Sequence, residues 1–432
     1  MNKRDIAWKT LFEELSVLQK IEEDGFYDIT ASKLKEITDE EPRLLAKWDS
    51  RQKTPQIFRD KNLGMLPLST QKYRIADFQL FHDLEQDNTS IQHFSPPGWV
   101  QTLTPFWFSR SENILLSACS AAGIFDDFLN LPNGTTFFPS ISGRLRAKDL
   151  KFDVETNFSK KKTRVELLNP QFEIDAGFES EQCIFFVEAK NTFCDDFNIR
   201  QLYIPWRYLT GLVSDKPIYP LFLMSHNGVI TLYHYKFEDP SNFNSLSLIK
   251  KQRYSLCEFR ITLEDIQLIA EKSRKKNKNE YSSDDVFPQA DNFDLIIKLG
   301  ELLVSETKDT SDVAEYYEYD HRQGQYYVQA SRFLGLIWKT GGKYALTPLG
   351  QKLFTSDLNA RIRGLIKIVF QNNVFKRTFM HTLKHNGVEP SKELISRWIL
   401  DDGWEDLNPT TRLRRASTVL AWNRWILQQK TE

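Results

Sequence analysis

The stretch that most constrains the fold is Asn169 to Leu209, where two strand patterns follow one another and the second carries charge inside an apolar run. From Phe172 to Glu179, Ile174, Ala176 and Phe178 alternate with Glu173, Asp175, Gly177 and Glu179, the period of a half-buried strand. After a short polar break, Cys183 to Asn191 reads as a central strand, nearly all apolar until Glu188 and Lys190 interrupt it. Those two stand at i and i+2 and share a face. Opposed residues in a hairpin keep a constant sum of numbers. A two-residue loop at Glu181 and Gln182 therefore pairs Ser180 with Cys183 and Asp175 with Glu188. That sets two carboxylates about 5 Å apart, which repels unless a cation sits between them. Any loop of even length keeps them on one face; an odd one separates them.

Two carboxylates beside a lysine suit Mg²⁺-dependent phosphodiester hydrolysis. The carboxylates are hard oxygen ligands for the ion, the ion polarises phosphate and activates water, and the ammonium orients water or stabilises developing charge. An exposed ion cluster at a strand end is the alternative. Placement separates the two, because charge interrupting a core strand is costly unless it has a job.

Asp175, Glu188, Ala189 and Lys190 match the D…(D/E)-x-K signature of the PD-(D/E)XK nuclease superfamily, with Ile174 where that signature has proline. The wider stretch EIDAGFE, VEAKN, DDFNIRQLYIPWRYL resembles a family of type II restriction endonucleases with this core. So do EPRLLAKWD (41–49), MLPLSTQKYRIADF (65–78), FPQADNFDLI (287–296) and RQGQYYVQASRFLGL (322–336). The resemblance implies a site-specific endonuclease of a restriction-modification system, cutting double-stranded DNA with Mg²⁺ to leave 5′-phosphates and encoded with a cognate DNA methyltransferase. It implies Asp175 and Glu188 as ligands of the ion, the Ala189 carbonyl completing the shell, and Lys190 positioning the attacking water. Gln201 falls where the superfamily often carries a glutamine facing the site, and Glu112 where a helix often brings a further acid. For Glu112 the alternative is that it only favours a helix N-terminus.

At 432 residues the chain exceeds what one core usually serves. The expected class is α/β (α+β): a mixed-sheet nuclease core over 101–275, flanked by helical, winged-helix-like regions at 1–100 and 285–432. Net charge is −1, so DNA contacts must come from local clusters. The four cysteines, Cys119, Cys183, Cys194 and Cys257, show no C-x-x-C spacing and read as reduced thiols of an intracellular protein. No signal peptide and no membrane-length apolar run is evident, which makes the cytoplasm the expected location.

Along the chain, Ile6 to Ile21 has helical apolar spacing ended by Gly25, and Thr30 or Ser32 caps a second helix to Ile37. Leu63 to Phe81 suggests strands, resuming from Phe94 to Phe108. Thr70 to Arg74 combine hydrogen-bond donors with an aromatic ring, a composition suited to phosphate or base contact, or to a solvated loop. A helix from Glu112 to about Leu129 follows, capped by Ser111. Ile141 to Arg146 reads as a small-residue turn in which Gly143 and Arg144 suit a phosphate. Lys151 to Val154 and Lys162 to Leu168 read as strands, with Lys161 in a basic run at a turn. Asp195 or Asp196 caps a helix that Pro205 kinks or ends, presenting Arg200 and Arg207 to phosphate. Ile218 to Met224 and Val229 to Phe237 form a hairpin about Asn227-Gly228.

A polar, basic run at 272–279 marks a domain boundary. Helices at 293–303, 310–316 and 325–337, then a hairpin about Gly341-Gly342, follow winged-helix order. Arg322, Gln325, Gln329 and Arg332 mix base-reading amides with arginines. The remainder is helical, and Arg412 and Arg415 either touch phosphate or line a solvated face.

A non-catalytic winged-helix DNA-binding regulator is a second reading, and a repair or transposon-linked nuclease with the same core a third. Discrete fragments that require Mg²⁺ separate the first from both. A palindromic target would call for a homodimer.

Overall fold

The computed structural model describes residues 3–85, 90–95, 97, 111–157, 161–256, 260–282, 285–304, 306–309, 313 and 321–430, with the side chains of 321–323 left aside. The expectations at 98–108, 310–312 and 314–316, Cys257 and the side chain of Arg322 lie outside these residues. The protein is mixed α/β, and its chain divides into two compact units. One comprises 1–87, 96–225 and 230–254; the other 88–95, 226–229 and 255–432. Regions expected as separate, 1–100 and 101–275, thus fall largely in one unit, and the longest segment of the second unit begins near 255, before the basic run at 272–279.

The first unit opens with α1 (Lys3–Glu14) and α2 (Val17–Asp24). The single helix expected over 6–21 is broken because Ser16 takes a left-handed φ of 50°. Then come β1 (Phe26–Thr30), α3 (Ala31–Thr38), α4 (Pro42–Ala46), α5 (Gln56–Asp60), β2 (Gly64–Ser69) and β3 (Lys72–Ala76). Thr30 caps α3 by accepting the Lys33 N–H at 3.2 Å, as its position before the helix suggested. β1, β3 and β2 form a three-stranded sheet. The ring cluster Trp8, Phe12, Trp48 and Phe58 fills its core edge-to-face, with centroids 4.6 to 6.2 Å apart. Arg74 and Lys72, offered above as nucleic-acid contacts, both engage Asp28, at 2.6 and 2.8 Å.

The remaining elements of this unit are β4 (Phe81–Asp83), α6 (Glu112–Ala121), α7 (Ile124–Phe128), β6 (Phe138–Arg146), β7 (Leu150–Glu155), β8 (Lys162–Leu167), β9 (Gln171–Glu179), β10 (Ile184–Lys190), β11 (Asp196–Asn198), α8 (Arg200–Thr210), β12 (Ile218–His226), β13 (Val229–Phe237) and β14 (Leu246–Ser255); β5 (Ile91–His93) belongs to the other unit. The main sheet runs β14-β13-β12-β10-β9-β6, with β10 parallel to β12 and antiparallel to β9. Phe185, Val187, Leu221, Phe222, Leu223 and Leu232 are fully buried in it, as a strand covered on both faces requires.

Three expectations here need correction. The helix over 112–129 is two helices, parted where Gly123 takes φ 76°. Residues 141–146 form part of β6 and not a turn, although Gly143 does adopt φ 85°. No helix is capped by Asp195 or Asp196. Residues 196–198 are a short strand paired with β4, and the helix begins at Arg200 and runs through Pro205 to Thr210.

The second unit is mainly helical: Leu263–Lys272, Phe293–Leu302, His321–Phe333, the hairpin β15 (Ile337–Thr340) and β16 (Lys343–Leu346), then Pro348–Phe354, Leu358–Phe370, Asn373–Lys384, Lys392–Asp401 and Pro409–Gln428. Gly341 and Gly342 make the tight turn with φ 55° and 82°. Close packing follows at Gly350, where a Cβ would stand 2.1 Å from the Leu336 carbonyl oxygen. Gly350→Ala is therefore expected to cost about 1–3 kcal/mol of stability, read from denaturant midpoints. An unchanged midpoint would show that the turn at Leu336 yields freely. Among the described residues no helix is long and apolar enough to cross a membrane.

Candidate active site

The hairpin register sets the site. Ser180 N–H donates to the Cys183 carbonyl at 2.9 Å, leaving Glu181 and Gln182 as the two-residue loop. The pairs Ile184–Glu179 through Val187–Ala176 keep the constant sum, and the ladder ends there, one step short of Asp175 and Glu188. There a side chain takes over from the backbone ladder: the Ala189 N–H donates to Asp175 Oδ2 at 2.8 Å. Asp175 is thus locked against the strand that carries Glu188 and Lys190.

Glu188 is only 8% exposed. Its Oε1 accepts from Lys190 Nζ at 2.5 Å and from Gln201 Nε2. Gln201 reaches it from the first turn of α8, and the Gln201 Oε1 is buried with no hydrogen-bond partner among the described residues. Burial, with Asp175 and Asp49 nearby, outweighs Lys190 and pushes the Glu188 carboxyl up to about 7. Burial opposes the Lys190 charge, but Glu188, Asp49 and Asp175 prevail and hold the ammonium above the usual lysine range. Glu112, in the first turn of α6 after its Ser111 cap, also comes to the site. Its Oε1 lies 3.4 Å from the Asn191 N–H, and its carboxyl is raised by burial against the pull of Lys190. The structure therefore gathers Asp175, Glu188, Lys190, Gln201 and Glu112.

It also gathers a residue that sequence reasoning missed. Asp49 follows Trp48 in the segment that runs along β11. Burial works to raise its carboxyl, yet Lys190 and Arg200 hold it below the usual range. Its Oδ1 is buried with no hydrogen-bond partner among the described residues. The signal available was slight: one acid after a core tryptophan, far in sequence from β9 and β10. Arg200, expected at phosphate, sits inside this acid cluster, where burial lowers its pKa against Asp49, Glu188 and Tyr73.

Other expected DNA contacts are scattered. Arg144, on β6, lies about half exposed with its Nε 3.6 Å from Glu173. Lys161 is exposed ahead of β8. Arg207 donates from Nη1 to the Tyr203 hydroxyl at 2.8 Å and to the Pro240 carbonyl, fastening α8 to the loop after β13. In the second unit Gln325, Gln329 and Arg332 are half-buried on the helix His321–Phe333, and Arg332 stands 4.0 Å from Asp285. Arg412 donates to the Leu407 carbonyl. Arg415 lines no solvated face: it is buried in the last long helix, as are Ala416 and Val419.

Among the described residues no three His, Cys, Asp or Glu side chains gather to hold a metal by themselves. A Mg²⁺ held by Asp175, Glu188 and the Ala189 carbonyl fits nevertheless, because this ion takes oxygen donors and keeps several waters. The buried acid excess marked by Glu188 is the surplus such an ion would neutralise.

Three family descriptions match successive parts of the chain, each a domain of unknown function: DUF6996 over residues 5–75, DUF6997 over 76–255 and DUF7226 over 295–431. No curated protein and no solved structure matches. Asp49 lies in the first matched region, and the other site residues lie in the second.

Proposed function

We propose that the protein is a Mg²⁺-dependent, site-specific endonuclease of double-stranded DNA with a PD-(D/E)XK core, acting in a restriction-modification system with a cognate DNA methyltransferase. One observation carries the reading: the Ala189 N–H binds Asp175 to the strand on which Lys190 and Gln201 converge on Glu188. Two acids facing each other in a core sheet are costly without a cation to share.

Asp175 and Glu188 would hold the ion with the Ala189 carbonyl, and the ion supplies Lewis-acid activation of water and phosphate. Lys190, kept protonated, is a cation and not a base as it stands; it orients the attacking water or steadies charge on the phosphate. Gln201 fixes the rotamer of Glu188. Glu112 adds a further acid from α6. In the second unit the hairpin after His321–Phe333 supports a winged-helix reading, with Gln325, Gln329 and Arg332 as base or phosphate contacts. Arg144 and Lys161 suit the backbone.

Plasmid DNA incubated with Mg²⁺ should give discrete fragments with 5′-phosphates, and none with EDTA. Uncut or randomly degraded DNA in Mg²⁺ would refute the reading. The ion requirement should also follow pH. With Glu188 titrating near 7, protons compete with the ion below that value and cease to compete above it. The Mg²⁺ concentration for half-maximal cleavage should rise about tenfold per unit as pH falls from 7 to 5, and change little from 7.5 to 8.5. A requirement flat from pH 5 to 8 would exclude Glu188 as a ligand.

A further inference from the structure

The segment Trp48 to Arg51 is sewn to β11 and the start of α8. The Asn198 N–H donates to the Asp49 carbonyl at 2.9 Å, and Asn198 Nδ2 to the Trp48 carbonyl at 3.1 Å. Arg51 N–H donates to Asp196 Oδ1 at 2.8 Å, and Arg51 Nη1 lies 3.1 Å from Asp196 Oδ2. Asn198 Oδ1 in turn accepts the Arg200 N–H at 3.1 Å. Asp196 and Asn198 are themselves buried, at 5% and 4% exposure. Behind this seam Trp48 is anchored among Trp8 and Phe58, at 6.0 and 4.6 Å. The Asp49 backbone is therefore fixed from both sides, while its carboxylate keeps a buried oxygen with no donor.

A buried carboxylate oxygen left without a donor costs free energy unless charges nearby compensate it. The cations acting on Asp49 are, in order of effect, Lys190, Arg200, Lys47 and Lys53, the first two from the site itself. We propose that Asp49 is a positioning residue of the nuclease centre, a carboxylate delivered by the region before residue 76 that holds Lys190 and Arg200 in place for cleavage. The inference rests on the nuclease reading and deepens it. Glu188 is the direct partner of Lys190, and an ion drawing on Glu188 would leave that ammonium in need of a second counter-charge. Asp49 supplies it.

The test compares Asp49→Asn and Asp49→Glu with wild type and Asp175→Asn in the full chain. Asparagine keeps the main-chain carbonyl that Asn198 uses, so the seam and the melting temperature should survive. Glutamate keeps the charge and displaces it by one methylene. Expected for Asp49→Asn are a kcat lower by about 10–100-fold, a KM for DNA within about twofold, and Mn²⁺ binding by calorimetry weakened by about tenfold. Asp49→Glu should fall between Asp49→Asn and wild type. Wild-type kcat and Mn²⁺ affinity in Asp49→Asn, with Asp175→Asn inactive, would overturn the role of Asp49 and leave the nuclease reading standing. So would an Asp49→Glu protein no better than Asp49→Asn. A wild-type protein that neither cuts DNA nor binds Mn²⁺ would overturn the nuclease reading itself.

Discussion

Asp175→Asn should lower Mg²⁺-supported DNA cleavage by about 10³-fold while leaving the fold and DNA affinity near wild type. The asparagine side chain retains an oxygen to accept the Ala189 N–H, so the clamp between β9 and β10 stays closed. What disappears is the negative charge opposite Glu188. With one acid gone, burial still raises the Glu188 carboxyl but the repulsion from Asp175 is lost, and the pair no longer needs a shared cation. Loss of cleavage with retained binding, measured by fragment formation and by gel shift in EDTA, is the outcome that supports the assignment. Cleavage at wild-type rate by Asp175→Asn would dismiss it whatever the other residues do.

Trp48→Ala should cost about 3–5 kcal/mol, the usual loss when a large buried aromatic is truncated. Trp48 is 2% exposed and packs edge-to-face on Trp8 and Phe58. Its main chain also carries one stitch of the seam to Asn198. Two effects should then appear together: a lower denaturant midpoint, and reduced cleavage at temperatures where the variant remains folded. Trp8→Ala provides the contrast. Trp8 is fully buried in the same cluster and its indole donates to Leu45, away from the seam. It should lose similar stability and keep more of the cleavage rate. An unchanged midpoint in Trp48→Ala would mean that the cluster repacks without it, and equal activity in both variants would detach the seam from the chemistry.

The parts of the fold legible in the sequence were those set by short-range rules. The register of β9 and β10 follows from alternation plus a two-residue loop, so Asp175, Glu188 and Lys190 could be brought together by arithmetic. The hairpin at Asn227-Gly228 and the cap at Thr30 were local in the same sense. Asp49 was illegible because the contact that places it runs from Trp48 to Asn198, and no periodicity links segments so far apart. Pro205, expected to kink or end the helix, does not end it. Proline usually ends a helix by forgoing the bond to the residue four places back, here Gln201, yet α8 is held on both flanks by Tyr203, Ile204 and Leu209, all buried, and packing outweighs that loss. The same override turned Arg200 and Arg415 inward, where composition suggested surface cations.

β6 closes one end of the main sheet, and its pairing with β9 slips twice, between Pro139 and Ile141 and again between Ile141 and Gly143. A border strand so irregular, with a proline and two arginines along it, offers a poor template to a second molecule seeking to extend the sheet. On the proposed reading, two copies gripping one palindrome would therefore have to meet through some other surface.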